Sequence, residues 1–281
     1  MKLAATRWPG DGTPIVALHG LSSNASFYVG VAERLAGRRP LVSFDLRGRG
    51  RSPKPSEGYG MAVHADDVAA SMDAEGIDRA MVVGHSMGAG VATVFAHRHR
   101  DRCAGVVLYD GGLQVFHDFF AHPELAAEFL ESGKGIEGRL HATFESPAAY
   151  RAHWAGLGVF TGGEWNPWVD AYLDHDLAAD GTAACLPDAI AHDAVDLLQT
   201  AGAIGDEPIE VPVLAVHATE GILHGTSPLV RPAALERMAG THPAFRSLEV
   251  ADTNHYTIAL TDPAATTVAD ALVGHAEVCG A

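Results

Sequence analysis

Five short apolar runs, each closing on glycine or a polar residue, constrain this chain more than any other feature. They are TPIVALHG (13–20), PLVSFDLRG (40–48), RAMVVGHS (79–86), AGVVLYDGG (104–112) and VPVLAVHA (211–218). Between them lie 24–37, 61–76, 87–100 and 231–240, where Ala, Val, Leu and Met recur at helical spacing. Near-continuous apolar strands separated by helices read as a parallel sheet covered on both faces. In such sheets the working groups lie beyond the carboxyl ends of the strands. Here those ends carry His19, Asp45, Ser86, Asp110, and His217 with Glu220.

The alternation lapses from 113 to 205. That interval holds three of the four tryptophans (Trp154, Trp165, Trp168), and its apolar spacing is helical in PELAAEFLESG (123–133) and PDAIAHDAVDLLQTAG (187–202). It reads as a helical cap inserted between two strands. Residues 1–112 and 206–281 then form one core, whose last strand is SLEV (247–250) and whose last helix is PAATTVADALVGHAEV (263–278). The expected fold is α/β, a mostly parallel, doubly wound sheet with that insertion.

Composition narrows the partners. A formal charge of −16 disfavours nucleic acid and anionic membrane surfaces, which would repel the chain. No stretch approaches the roughly 20 apolar residues of a membrane span, and MKLAATRWPGDG lacks the apolar run of a signal peptide. Cys103, Cys185 and Cys279 are widely spaced, which argues for reduced thiols over disulfides or a thiolate zinc site. The expectation is a cytoplasmic protein acting on a small molecule, with a homodimer left open.

The chemistry centres on Gly84-His85-Ser86-Met87-Gly88, a G-x-S-x-G pattern between the strand-like RAMVV and the helix-like AGVATVFAHRH. A strand turning straight into a helix strains its central residue and projects the side chain, and flanking Cβ atoms would clash. A serine hydroxyl needs an adjacent base at neutral pH. His255, in ADTNHYTIAL (251–260), falls in the last strand-to-helix loop, on the edge where Ser86 should lie. His19, His85 and His217 lie near the same edge and suit shaping the site or packing.

With LHGLSSN (18–24), FDLRGRGRS (44–52), GHSMGAG (84–90), LYDGG (108–112) and TNHYT (253–257) in this order, the chain resembles the α/β-hydrolase family. The resemblance implies an oxyanion site made by the backbone amides of Leu21 and Met87. It also implies an acid supporting His255, and two positions compete. The family's usual place follows VPVLAVHA, where this chain has Glu220-Gly221 and no Asp; a minority place is filled by Asp110 in VVLYDGG. Asp110 is preferred and Glu220 is the alternative. Asp45 in the Gly-rich loop is read as structural, and Asp252 as a turn former.

The resemblance implies acyl transfer on Ser86, cleaving an ester or lactone. A C–C bond hydrolase, a thioesterase and a non-catalytic ligand-binding member of the fold are the alternatives. No cofactor and no metal are expected, because the histidines lack metal-motif spacing. Phe116, Phe119, Phe120, Trp154, Phe160, Trp165 and Trp168 suggest a lid over an apolar pocket, with Trp154, Trp165, His19 and His85 expected to meet substrate.

Overall fold

The computed structural model describes residues 1–280, with the backbone alone for 119–121. Seven strands form one sheet: β1 (Ala5–Trp8), β2 (Ile15–Leu18), β3 (Leu41–Phe44), β4 (Ala80–His85), β5 (Cys103–Tyr109), β6 (Val213–Ala218) and β7 (Phe245–Val250). Their order is β1-β3-β2-β4-β5-β6-β7, with β1 antiparallel to β3 and every other pair parallel.

β1 was not legible as a strand. ATRW is four residues long, half-exposed, and lies at the sheet edge, so it carries no apolar run. The inner strands are buried along their whole length, and alternate residues feed two separate cores. Val16, Val82 and Leu108 point into one, Ile15, Val83 and Tyr109 into the other. Period-2 alternation therefore appears as a change of partner and not as apolar against polar.

Helices α1 (Val29–Leu35), α2 (Met61–Ala74) and α3 (Met87–Arg98) fill the early crossovers. Five more lie between β5 and β6: α4 (Leu113–Ala121), α5 (Pro123–Gly138), α6 (Pro147–Ala155), α7 (Pro167–Asp176) and α8 (Pro187–Ile204). The last three are α9 (Pro232–Thr241), α10 (Thr257–Leu260) and α11 (Ala264–Val278). Met61, Val91, Leu113, Leu197 and Met238 place α2, α3, α4, α8 and α9 on one face, while Val31, Val268 and Leu272 place α1 and α11 on the other. Among the described residues no helix is long and apolar enough to cross a membrane.

The segment between β5 and β6 is tied to the sheet through buried charge. Arg49, after β3, meets Asp193 of α8 at 2.5 Å, and His64 of α2 meets the same carboxylate at 2.8 Å. Asp45 accepts from the amides of Ala25 (2.8 Å) and Arg51 (2.9 Å) and pairs with His175 of α7 (2.8 Å). Burial alone would raise the Asp45 carboxyl, but the His175 contacts outweigh it and hold the group below its ordinary range. Asp45 thus organises loops.

The chain runs from β2 outward to β3 and then returns to β4 on the other side of β2. Such a reversal opens a crevice beyond the carboxyl ends of the two neighbouring strands. The loop His19–Asn24 and the turn at Ser86 meet there.

Candidate active site

Ser86 joins β4 to α3 with φ 55° and ψ −121°, a region that L residues rarely enter. Such strain costs about 1–3 kcal/mol and persists only where neighbours impose it. The glycines on either side are required by backbone. A Cβ at Gly84 would lie 2.0 Å from the Gly88 carbonyl oxygen, and one at Gly88 would lie 2.3 Å from that of Leu18. Gly88→Ala is accordingly expected to lower the unfolding free energy by about 3 kcal/mol, read from the urea midpoint. Gly202→Ala in α8, where nothing lies within 4 Å of the new methyl, should instead be neutral or stabilising by up to about 1 kcal/mol.

Asp110 follows β5 in a second left-handed conformation, φ 43°. Its amide donates to Val216 O (2.7 Å), and its Oδ1 accepts from Ala218 N (3.1 Å), both on β6. Oδ2 accepts from His255 Nδ1 at 2.6 Å. The acid is fully buried, and the His255 ring is nearly so. Ser86 N donates to Tyr109 O (3.0 Å), and a Cβ at Gly111 would lie 2.6 Å from Ser86 O. The Asp110-Gly111 turn is therefore packed directly on the Ser86 backbone.

Glu220 turns elsewhere. Its Oε2 accepts from His224 Nδ1 (2.6 Å), whose Nε2 meets Glu164 Oε2 (2.9 Å). Partial burial would lower the His224 pKa, but the two carboxylates outweigh it and raise it. Of the two candidate acids, Asp110 is the one brought to His255.

Ser86 and His255 line one cavity of about 60 Å³ together with Gly20, Leu21 and His85. Backbone pairs near it run from Ser23 N to Gly20 O (3.3 Å) and from Ala89 N to Ser86 O (3.0 Å), and among the described residues no such pair uses the N–H of Leu21 or Met87. The Met87 amide opens α3, where the first helical N–H groups have no intrahelical partner. Helix α5 roofs the cavity with Phe129, Leu130 and Ile136, and the exposed Glu137 also lines it.

His85 also lines the cavity. Its Nε2 donates to His255 O (3.0 Å), its ring stacks on Phe27 (centroids 4.0 Å) and sits 4.2 Å from the His255 ring, and Nδ1 has no partner among the described residues. Burial, then repulsion from a charged His255, keeps it neutral well below its usual pKa. Among the described residues, His85, Asp110 and His255 each bring a metal-ligand type atom within 4.8 Å of the others. The His255 and Asp110 side chains already bond to each other, and His85 Nε2 is taken by the backbone carbonyl of His255.

Three sequence expectations are corrected. His19 is fully buried and does not line the cavity. Its Nδ1 donates to Gly20 O (2.8 Å) and its Nε2 accepts from Leu46 N (2.9 Å), a bridge between strand ends that needs the neutral ring. Burial lowers its pKa to about 4. Trp154 is also fully buried, edge-on to Tyr256 (5.6 Å) and Tyr172 (6.0 Å), within the core that the helical segment shares with one face of the sheet. Trp165 packs edge-on to Phe160 (5.9 Å) and donates to Asp170 (3.2 Å). Side chains of Phe119 and Phe120 lie outside the described residues. Among the described residues these tryptophans mark a core, and α5 brings Phe129, Leu130 and Ile136 to the cavity.

A family model described as the alpha/beta hydrolase fold matches residues 13–260. The 2-(acetamidomethylene)succinate hydrolase of Mesorhizobium japonicum is 31% identical over 153 residues, which are 53% of this chain and 50% of that protein. A putative carbamate hydrolase, RutD, of Caulobacter segnis is 36% identical over 107 residues, 37% of this chain and 40% of that one. The chain thus spans about half or less of the length of these curated relatives. Among solved structures, Est816, described as an N-acyl homoserine lactone degrading enzyme, superposes with a TM-score of 0.68 at 23% identity, covering 97% of this chain and 96% of that one. That likeness shows the fold.

Proposed function

The chain belongs to the alpha/beta hydrolase fold family, and we propose that it cleaves a small ester or lactone through an acyl-enzyme formed on Ser86. The observation that carries this reading is the Asp110–His255 pair opening onto the same cavity as Ser86. With Nδ1–H committed to Asp110, the neutral imidazole keeps its lone pair on Nε2 and can act as a base. His255 Nε2 takes the hydroxyl proton as Ser86 Oγ attacks the carbonyl carbon. The developing oxyanion accepts from the unused amides of Leu21 and Met87. His255 then protonates the departing alkoxide oxygen. Water attacks the acyl-enzyme with His255 again as base, and the acid leaves.

The cavity suggests what enters. About 60 Å³ is far below the ~300 Å³ at which sites for drug-sized ligands begin, so the acyl portion is short. Among the described residues that line it, Glu137 is the one with a formal charge, and none is a lysine or arginine. An anionic acyl group would find no lysine or arginine among those lining residues to pair with. The dicarboxylate named for the Mesorhizobium relative is therefore not carried over, and a neutral acyl group is.

A panel of p-nitrophenyl esters checks this. Acetate and butyrate should exceed decanoate and hemisuccinate by at least about tenfold in kcat/KM, a difference of ~1.4 kcal/mol in transition-state binding. If hemisuccinate or decanoate proved the best substrate, the assignment to short neutral acyl groups would be wrong.

A further inference from the structure

The loop carrying the Leu21 N–H is irregular, so something other than secondary structure must fix its peptide planes. Its carbonyls identify what does. Gly20 O accepts from His19 Nδ1 (2.8 Å), Leu21 O from Arg49 Nε (2.9 Å), and Ser22 O from Arg139 Nη2. Three consecutive carbonyls are thus each held by a buried side chain.

Both guanidiniums are fully buried and come from outside the loop: Arg49 follows β3 and Arg139 follows α5. Each is held in turn by a carboxylate from the segment between β5 and β6. Asp193 of α8 meets Arg49 Nη1 at 2.5 Å, and Asp176 of α7 meets Arg139 Nε at 2.8 Å. Burial disfavours the charged Arg139, yet Asp176 outweighs it and pushes its pKa well up. Gly60 N donates to Asp193 Oδ1 (2.7 Å), and the Tyr150 hydroxyl donates to Asp176, so neither carboxylate is free to turn.

A buried ion pair is weak evidence of a fastening role, because apolar residues often replace such pairs without loss. What an apolar residue cannot do is donate to a carbonyl while holding a carboxylate, and the planar guanidinium does both at fixed spacing. A trans peptide keeps its N–H and C=O coplanar and opposed. The Leu21 N–H shares its plane with Gly20 O, held by His19 and Ser23 N, and Arg49 on Leu21 O fixes the adjoining plane, so the Leu21 N–H cannot swing about its Cα without breaking a buried bond.

We propose that Arg49 and Arg139 are positioning residues that aim the Leu21 amide, with Asp193 and Asp176 holding them in place. The helical segment then completes the site for the carbonyl oxygen as well as roofing it. This inference rests on the reading of Ser86 as nucleophile and of Leu21 N–H as oxyanion donor.

Arg49→Lys and Arg139→Lys in the full chain test it, since lysine keeps the charge but loses the fork. Each variant is assayed with p-nitrophenyl acetate, and its active sites are counted by end-point fluorophosphonate labelling of Ser86. The expected result is a fall in kcat per labelled site of about 10- to 100-fold, as for an oxyanion donor displaced but not removed. KM should change by less than about threefold. Inhibition by a trifluoromethyl ketone, which must lodge an oxyanion in the same place, should weaken by the same factor as kcat/KM. Asp193→Asn, which loosens Arg49 without removing it, should give a smaller loss in the same direction and stands in if a lysine variant fails to fold.

Wild-type kcat per labelled site in the variants, with losses confined to thermal midpoint or labelled fraction, would show that the guanidiniums only hold the fold, and would overturn the proposal. An absence of Ser86-dependent labelling and turnover in the wild-type protein would remove the hydrolase reading and this inference together, a result distinguishable before any arginine is changed.

Discussion

Ser86→Ala is expected to lower kcat on p-nitrophenyl acetate by about 10⁴- to 10⁶-fold while leaving the protein folded. The substitution removes only Oγ, the atom that must accept the acyl group. The strained turn stays as it is, because alanine has the same Cβ and Gly84 and Gly88 still admit the backbone. Ser86 is 6% exposed, so the lost hydroxyl leaves little empty volume behind. Steady-state rates with the urea midpoint as a folding control check this. Loss of the fluorophosphonate mass shift should accompany the loss of rate. A variant within tenfold of wild type on every ester tried would rule out Ser86 as nucleophile.

The second large effect is expected at Asp110. Asparagine preserves shape, and its carbonyl oxygen can still accept from Ala218 N. Its amide cannot accept the Nδ1 proton of His255 while donating one of its own, so the imidazole shifts to the tautomer with Nε2 protonated. No base then faces Ser86. A fall in kcat of about 10⁴-fold follows from this change of tautomer, with KM changed little. Glu220→Gln should stay within about threefold of wild type, because it weakens only a partly exposed contact with His224. Measuring both variants under one set of conditions decides the matter, and the reverse ranking would transfer the acid's role to Glu220.

Much of this arrangement was legible because it depends on local pattern. The apolar runs gave the sheet, and the spacing of Gly84, Ser86 and Gly88 gave the turn, since each glycine answers a backbone contact within a few residues or on the neighbouring strand. What was not legible depends on long-range charge. Arg49 looked like one more cation in FDLRGRGRS, and nothing in its neighbourhood points to Asp193, 144 positions away. Arg139 and Asp176 pair across 37 positions in the same way. The tryptophans misled for a different reason. Large aromatic rings are the usual currency of both pockets and cores, and the core that this helical segment shares with one sheet face is built from them. Trp154 went there, and the cavity roof fell to Phe129, Leu130 and Ile136.

The packing of Asp110-Gly111 on the Ser86 backbone bears on how such a site can be rebuilt. In the family pattern the acid more often follows the next strand, at the place of Gly221. Moving it there requires a side chain at Gly221, and the packing around Gly221 does not admit one as it stands. A Cβ at Gly221 would lie 2.4 Å from Ser227 O and 2.5 Å from the Thr226 hydroxyl. Any side chain at Gly111 would press on Ser86 itself. The two acid positions are therefore separated by a remodelled loop and not by a point mutation. Exchanging the one acid position for the other means rebuilding the turn from Gly221 to Ser227 as well as moving a carboxylate.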